Sequence, residues 1–251
     1  MPYPIERKLV IAVASSALFD LRESDKVFSE EGPKAYKEYQ EKHLDTFLEK
    51  GVAFPFVRRF LSINDRFSEE QPVEVVLLSR NSAVTGKRVF RSIQHHKLDI
   101  TRAAFMEGKS PYGYIPAFNA SLFLSANESD VVKAIDCGYP AGTVLPTKVV
   151  DDLEDGELRI AFDFDGVIAD DESESVFRDS KIDDFNKYEV DKSDIPHNPG
   201  PLADLFKKLS FMQQLEDRSE EKDRNYKRIL RTAIVTARSA PAHERVITTL
   251  E

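Results

Sequence analysis

The chain has 251 residues, with 35 Lys and Arg against 44 Asp and Glu, a formal charge of −9 and 41% hydrophobic residues. That is enough apolar content for a packed core, and the acidic balance argues against a general nucleic-acid or anionic-membrane binder, which needs clustered cations. The single cysteine, Cys137, excludes an internal disulfide framework and is expected as a small buried apolar residue in a reducing compartment. The N-terminal MPYPIERK carries charges and prolines where a secretory signal would carry an apolar run, and no window approaches the roughly 20 apolar residues of a membrane span. The expectation is a cytoplasmic protein with no membrane and no nucleic-acid partner.

Apolar runs of strand length recur at Leu9–Val13, Val73–Leu78, Ser121–Leu124, Arg159–Phe162 and Thr232–Val235. Between them lie segments with helical spacing, such as Phe54, Val57, Phe60 and Leu61, or Val131, Val132 and Ile135. Strands alternating with helices predict an α/β fold with a mainly parallel sheet. The acidic stretch from Asp151 to Glu157 reads as a linker, and the charged stretch from Gln213 to Arg228 as solvated helix or loop.

Sliding the chain by 149 residues sets LVIAVASSALFDL from Leu9 over LRIAFDFDGVIAD from Leu158, Val27-Phe28 over Val176-Phe177, Tyr39 over Tyr188 and Gly51 over Gly200. At an offset of 157, the segment from Val75 matches that from Thr232, with Ser82, Ala83, Arg88 and Val89 identical to their partners. The pattern favours a tandem duplication, with the eight extra residues near the charged stretch at 213–228.

In the segment from Arg159 to Ile168, a strand ends in Asp163, a second carboxylate follows at Asp165, and Gly166 allows a sharp turn. Ligands of open α/β sheets sit at the carboxyl ends of strands, and two neighbouring carboxylates call for a cation or a shared proton. Hard oxygen donors suit Mg²⁺. A second strand, Thr232–Val235, ends in Thr236-Ala-Arg238, with Ser239 as a helix N-cap and Pro241 in the first turn, a combination suited to cradling phosphate.

These two segments resemble the first and second motifs of the haloacid dehalogenase (HAD) superfamily. The resemblance implies that Asp163 is the nucleophile that forms an aspartyl-phosphate, and that Asp165 protonates the leaving alkoxide and then activates water. It also implies that Asp163 and the backbone carbonyl of Asp165 ligate Mg²⁺, that Thr236 binds the phosphoryl group and that Arg238 binds substrate. Over nearly its whole length, through IAVASSALFDL, AFPFVRRFL, VEVVLLSRNSAVTG, LDITRAAF, LFLSANESDV, DFDGVIADDESE and VTARSAPAHERVI, the chain is similar to the cytosolic 5′-nucleotidase I family. That family implies Mg²⁺-dependent hydrolysis of nucleoside 5′-monophosphates, and homo-oligomerisation is compatible with it. A HAD phosphatase acting on sugar phosphates and a catalytically incompetent nucleotide-binding protein are the alternatives.

The expected organisation is a HAD-like, Rossmann-like pair of units: residues 1–150 degenerate, residues 151–251 bearing the catalytic motifs. In the first unit Ala14 and Ser16 stand where the second has Asp163 and Asp165. The resemblance puts Ser79 opposite Thr236, Lys109 where a phosphatase has its charge-neutralising lysine, and Ser125–Asn127 where the last acids would be. By the first unit's length, the second is expected to lack roughly 50 residues carrying the third and fourth motifs. His95 and His96 are expected on the surface, and Asp170-Asp171-Glu172 in a solvated acidic loop.

Overall fold

The structure, a computed structural model, describes residues 6–147, 150–179, 182–238, 240 and 242–251. The chain divides into two compact units, Met1–Gly156 and Glu157–Glu251. Ser239 and Pro241, expected as cap and first-turn residue of the last helix, lie outside the described residues.

The first unit runs β1 (Leu9–Val13), α1 (Ser15–Leu18), α2 (Arg22–Lys42), α3 (Phe54–Leu61), α4 (Ile63–Arg66), β2 (Val73–Ser79), α5 (Gly86–His95), β3 (Arg102–Phe105), β4 (Leu122–Ser125), α6 (Glu128–Asp136) and β5 (Ala141–Thr143). Its five strands are all parallel, in the order β3-β2-β1-β4-β5. Central β1 is buried along its whole length, which is why LVIAV is an unbroken apolar run rather than an alternating one. Val10, Ala12, Val76, Leu78 and Phe123 share one core cluster with Ile115 and Ala134. Each of the Val, Leu, Ile and Phe side chains contributes about 1.5–3 kcal/mol by leaving water.

The second unit runs β6 (Leu158–Asp163), a π-type turn at Phe164–Ile168, α7 (Glu172–Asp179), α8 (Ile182–Asp191), α9 (Ala203–Lys222), β7 (Leu230–Val235) and α10 (Glu244–Leu250). β6 and β7 pair in parallel, and burial along β6 alternates between its ends.

Interactions within the two units correspond closely. β1 pairs with β2 from Leu9↔Val73, and β6 with β7 from Leu158↔Leu230, which are the same positions at offsets of 149 and 157. Buried Arg88 donates to Gln40 Oε1 (3.4 Å) and to Thr46 O (2.8 Å); buried Arg245 donates to Glu189 Oε1 (3.3 Å) and to Ile195 O (2.8 Å). The Arg88 guanidinium lies 5.8 Å from the Tyr39 ring, and that of Arg245 5.8 Å from the Tyr188 ring. Leu48 N–H donates to Ser92 Oγ as His197 N–H donates to Thr249 Oγ1.

The ungapped alignment of the two first segments needs one correction. After β1, Phe19 N–H donates to Ser15 O, four residues back; after β6, Ala169 N–H donates to Phe164 O, five residues back. The turn from Phe164 to Ala169 is therefore one residue longer than the turn from Ser15 to Phe19. Beyond the turn, Gly51 N–H donates to Leu18 O, and Gly200 N–H to Ile168 O. The longer turn contains a type II turn, Asp165 at φ −73°, ψ 128° and Gly166 at φ 71°, ψ 4°, a conformation that glycine adopts at no steric cost.

Two further expectations are corrected. Cys137 is exposed, because it caps the C-terminal end of α6 rather than lying on its buried face. His96 is half-buried, with its ring 5.2 Å from that of Phe54 and Nε2 3.0 Å from Leu48 O. The acidic stretch after Val150 is also fastened within the first unit: Asp151 pairs with Arg59 at 2.8 Å, and Arg59 Nε donates to Asp155 O at 2.9 Å.

Gly200 is required by close backbone approach. A Cβ there would lie 2.3 Å from Ala169 O and 2.6 Å from Val167 O. Gly200→Ala is expected to destabilise the second unit by about 1–3 kcal/mol. Urea titration followed by circular dichroism checks this, and an unchanged midpoint would contradict the close approach.

Candidate active site

Asp163 closes β6 and Thr236 follows immediately on β7. Because Asp163 is in register with Val235, Thr236 lies one residue past the partner of Asp163, at the carboxyl edge of the pair. Asp163 is exposed, and its Oδ1 accepts the N–H of Phe164 at 2.8 Å. Thr236 Oγ1 accepts the N–H of Arg238 at 3.2 Å, which fixes the turn leaving β7.

Arg238 gathers the site. Its Nε donates to Asp165 Oδ2 at 3.1 Å and its Nη2 to Asp165 Oδ1, a bidentate pair. Its Nη1 donates to Glu189 Oε2, and Nη2 lies 3.3 Å from His197 Nε2. The guanidinium stacks 5.4 Å from the Phe164 ring and 5.6 Å from the Phe185 ring, and its side chain is only 3% exposed. Burial alone would lower the Arg238 pKa, but Asp165 and Glu189 outweigh it and hold the guanidinium firmly charged.

Glu189, on α8, is the buried counterpart. Ser173 Oγ donates to its Oε1 at 2.7 Å, and Arg245 reaches the same oxygen. Burial pushes its carboxyl up, yet hydrogen bonds from His197 and Ser173 and the Arg238 charge prevail and hold it at about 2. Glu172 opens α7 instead of lying in a solvated loop. Bonds from Lys192 (2.8 Å) and Tyr188 (2.6 Å) hold its carboxyl at about 2 despite partial burial. Sequence reading did not find Glu189, His197 or Ser173. The one usable signal was the identity of Arg88 and Arg245 across the repeat, since Glu189 is what buried Arg245 contacts.

The sequence-predicted residues Asp163, Asp165, Thr236 and Arg238 thus share one strand edge, and Arg238 contacts a carboxylate of the motif itself. Among the described residues no group of three or more His, Cys, Asp or Glu would hold a metal. The Asp163 carboxylate and the main-chain carbonyl of Asp165 still suit Mg²⁺, which takes one or two carboxylates and completes its shell from water and phosphate oxygens.

A family profile described as 5′-nucleotidase matches residues 1–251. The chain belongs to the 5′-nucleotidase family. It is 33% identical over 257 residues to human cytosolic 5′-nucleotidase 1B, an alignment covering 99% of this chain and 42% of the relative. The chain therefore spans less than half the length of that relative. No solved structure matches significantly. Among the described residues, no helix is long and apolar enough to cross a membrane.

Two outcomes test the buried network. Glu189→Leu leaves Arg238 and Arg245 without their shared carboxylate and is expected to cost about 3–5 kcal/mol in urea unfolding. Since the Glu189 carboxyl is held below its ordinary value of 4.5, its stabilising contribution is complete above that pH and is lost as pH falls toward about 2. Unfolding midpoints measured across this window should fall in the wild type and stay flatter in Glu189→Leu.

Proposed function

We propose that the chain hydrolyses nucleoside 5′-monophosphates to nucleoside and phosphate, through an aspartyl-phosphate on Asp163 and with Mg²⁺ bound by Asp163 and the carbonyl of Asp165. The observation that carries this is the registered pair of strand ends: an exposed carboxylate, Asp163, beside a hydroxyl, Thr236, with Asp165 fixed by Arg238. Family membership supports nucleotide hydrolysis as the activity.

In this reading a carboxylate oxygen of Asp163 attacks phosphorus and the bond to the ribose 5′ oxygen breaks. Thr236 donates its hydroxyl to a phosphoryl oxygen. Asp165 supplies the proton to the departing alkoxide, then takes one from the water that cleaves the acyl phosphate. Arg238 engages both carboxylate oxygens of Asp165, so Asp165 must turn from Arg238 to reach the leaving oxygen or the water. When bound, Mg²⁺ would neutralise phosphate charge and make phosphorus approachable to an anion.

We read the two units as related in tandem, residues 1–150 degenerate and 151–251 catalytic. The shared β-pair register and the matching Arg88 and Arg245 contacts support this. The single cysteine, and the cytosolic designation of the human relative, support a cytoplasmic setting.

Phosphate release from a panel of nucleoside and sugar monophosphates, with and without Mg²⁺, tests the proposal. Nucleoside monophosphates should be preferred and Mg²⁺ required. Asp163→Asn should abolish turnover without unfolding, and Thr236→Ala should slow it about 10²–10³-fold, the typical loss for one preorganised donor. Retained activity in Asp163→Asn would exclude the covalent route.

A further inference from the structure

The first unit has its own opening at the corresponding edge. A cavity of about 1350 Å³ lies beyond the carboxyl ends of β1, β2 and β4. The strand order reverses about β1 there, and such crevices are where open parallel sheets take ligands. Small-molecule sites typically occupy about 300–1,000 Å³, so a ligand of several rings has room.

The cavity floor is made of uncharged polar groups. Ser15 and Ser79 hydroxyls lie 2.9 Å apart, and Ser79 Oγ also accepts the N–H of Asn81 at 3.1 Å. One wall is the face of α2 that carries Phe28 and Tyr36. Their rings meet edge to face at 5.5 Å, and Tyr36 donates its hydroxyl to Asn81 Oδ1 at 2.7 Å. Phe28 is 52% exposed, an aromatic surface left open at the rim.

The contrast with the second unit is one of charge. At the repeat offsets, Asp165, Arg238 and Glu189 correspond to Ser16, Asn81 and Gln40, while the nucleophile position is Ala14. The whole ionised set is replaced by neutral groups of hydrogen-bonding character, so the edge keeps its donors and acceptors and loses its field. The cations that line the cavity are already engaged. Arg22 pairs with Asp20 (2.9 Å), Arg80 with Asp130 (2.8 Å), Lys37 with Glu41 (4.0 Å), and Lys50 lies over the Phe54 ring. These four face five lining carboxylates, Asp20, Asp25, Glu107, Asp130 and Asp151, of which Asp151 is already paired with Arg59 at 2.8 Å, so a phosphate dianion would meet no excess of positive charge among the lining residues.

We propose that this cavity binds an uncharged nucleoside, the product class of the proposed reaction, with its base against Phe28 and Tyr36 and its sugar hydroxyls toward Asn81 and Ser79, and performs no chemistry on it. The choice of nucleoside rests on the reading that the chain hydrolyses nucleoside monophosphates. The neutrality of the ligand rests on the lining alone.

Calorimetric titration of the full chain carrying Asp163→Asn with adenosine, inosine, cytidine and uridine tests it. At least one nucleoside should bind. Phe28→Ala and Asn81→Ala should each weaken it about tenfold, the loss expected for one stacking or hydrogen-bonding contact. Thr236→Ala should leave this binding unchanged. Because Phe28 is exposed, its variant does not depend on core packing. Binding kept at full strength in both Phe28→Ala and Asn81→Ala would place the nucleoside elsewhere and overturn the proposal. Nucleoside binding displaced by inorganic phosphate would overturn the neutral-ligand basis, and so would no binding at millimolar nucleoside. Phosphate release by the wild-type chain is measured separately. A chain that hydrolyses monophosphates yet binds no nucleoside refutes this inference only, and one that binds nucleoside in the cavity yet releases no phosphate refutes the proposed function only.

Discussion

The buried pairing of Arg238 with Glu189 is the interaction on which the second unit is built. A carboxylate with a fully buried side chain is tolerated only when charged and hydrogen-bonding partners replace its lost water. Glu189 has two arginines, a histidine and a serine, drawn from β7's exit loop, α10, the segment after α8 and α7. Satisfying that one group therefore ties the elements between the two strands to the strand edge. Arg238, fixed from behind by Glu189, has its remaining donors directed at Asp165, so the position of a motif carboxylate depends on a helix residue 24 positions further along the chain.

The first unit holds a corresponding set of contacts with fewer charges. Arg88 keeps the place of Arg245, its aromatic neighbour and its backbone acceptor, but the carboxylate it faces has become the amide of Gln40. A single substitution at any one of these sites would strand a charge in a poorly solvated place. With Ser16, Asn81 and Gln40 in the first unit, the buried charge that remains is that of Arg88, held by the Thr46 carbonyl, the Gln40 amide oxygen and the Tyr39 ring.

The parts of this organisation that were legible in sequence were those encoded locally. The apolar runs located β1, β2, β4, β6 and β7 but not the short outer strands β3 and β5, and Gly166 marked a turn that has a positive φ. The aspartate pair and Thr236 were legible because their spacing from strand ends fixes where they emerge. What stayed hidden depends on contacts between residues far apart in sequence: Glu189 meets Arg238 across 49 residues and Arg245 across 56. Cys137 was misread for a related reason. Composition favours burial for cysteine, but its position at the end of α6 decides otherwise. The repeat was visible as identities, whereas the extra residue after Phe164 was not, since an ungapped offset of 149 resumes at Gly51 and Gly200.

That extra residue makes the difference between the halves one of chain length as well as of side chains. Aspartates written at positions 14 and 16 would stand on a four-residue α-turn whose third member is Ala17, without the extra peptide unit and left-handed glycine that shape the loop after Asp163. The main-chain carbonyl of residue 16 would then lie within that helical turn. Point mutation to the acids would therefore add negative charge to the cavity without rebuilding the longer loop that follows Asp163.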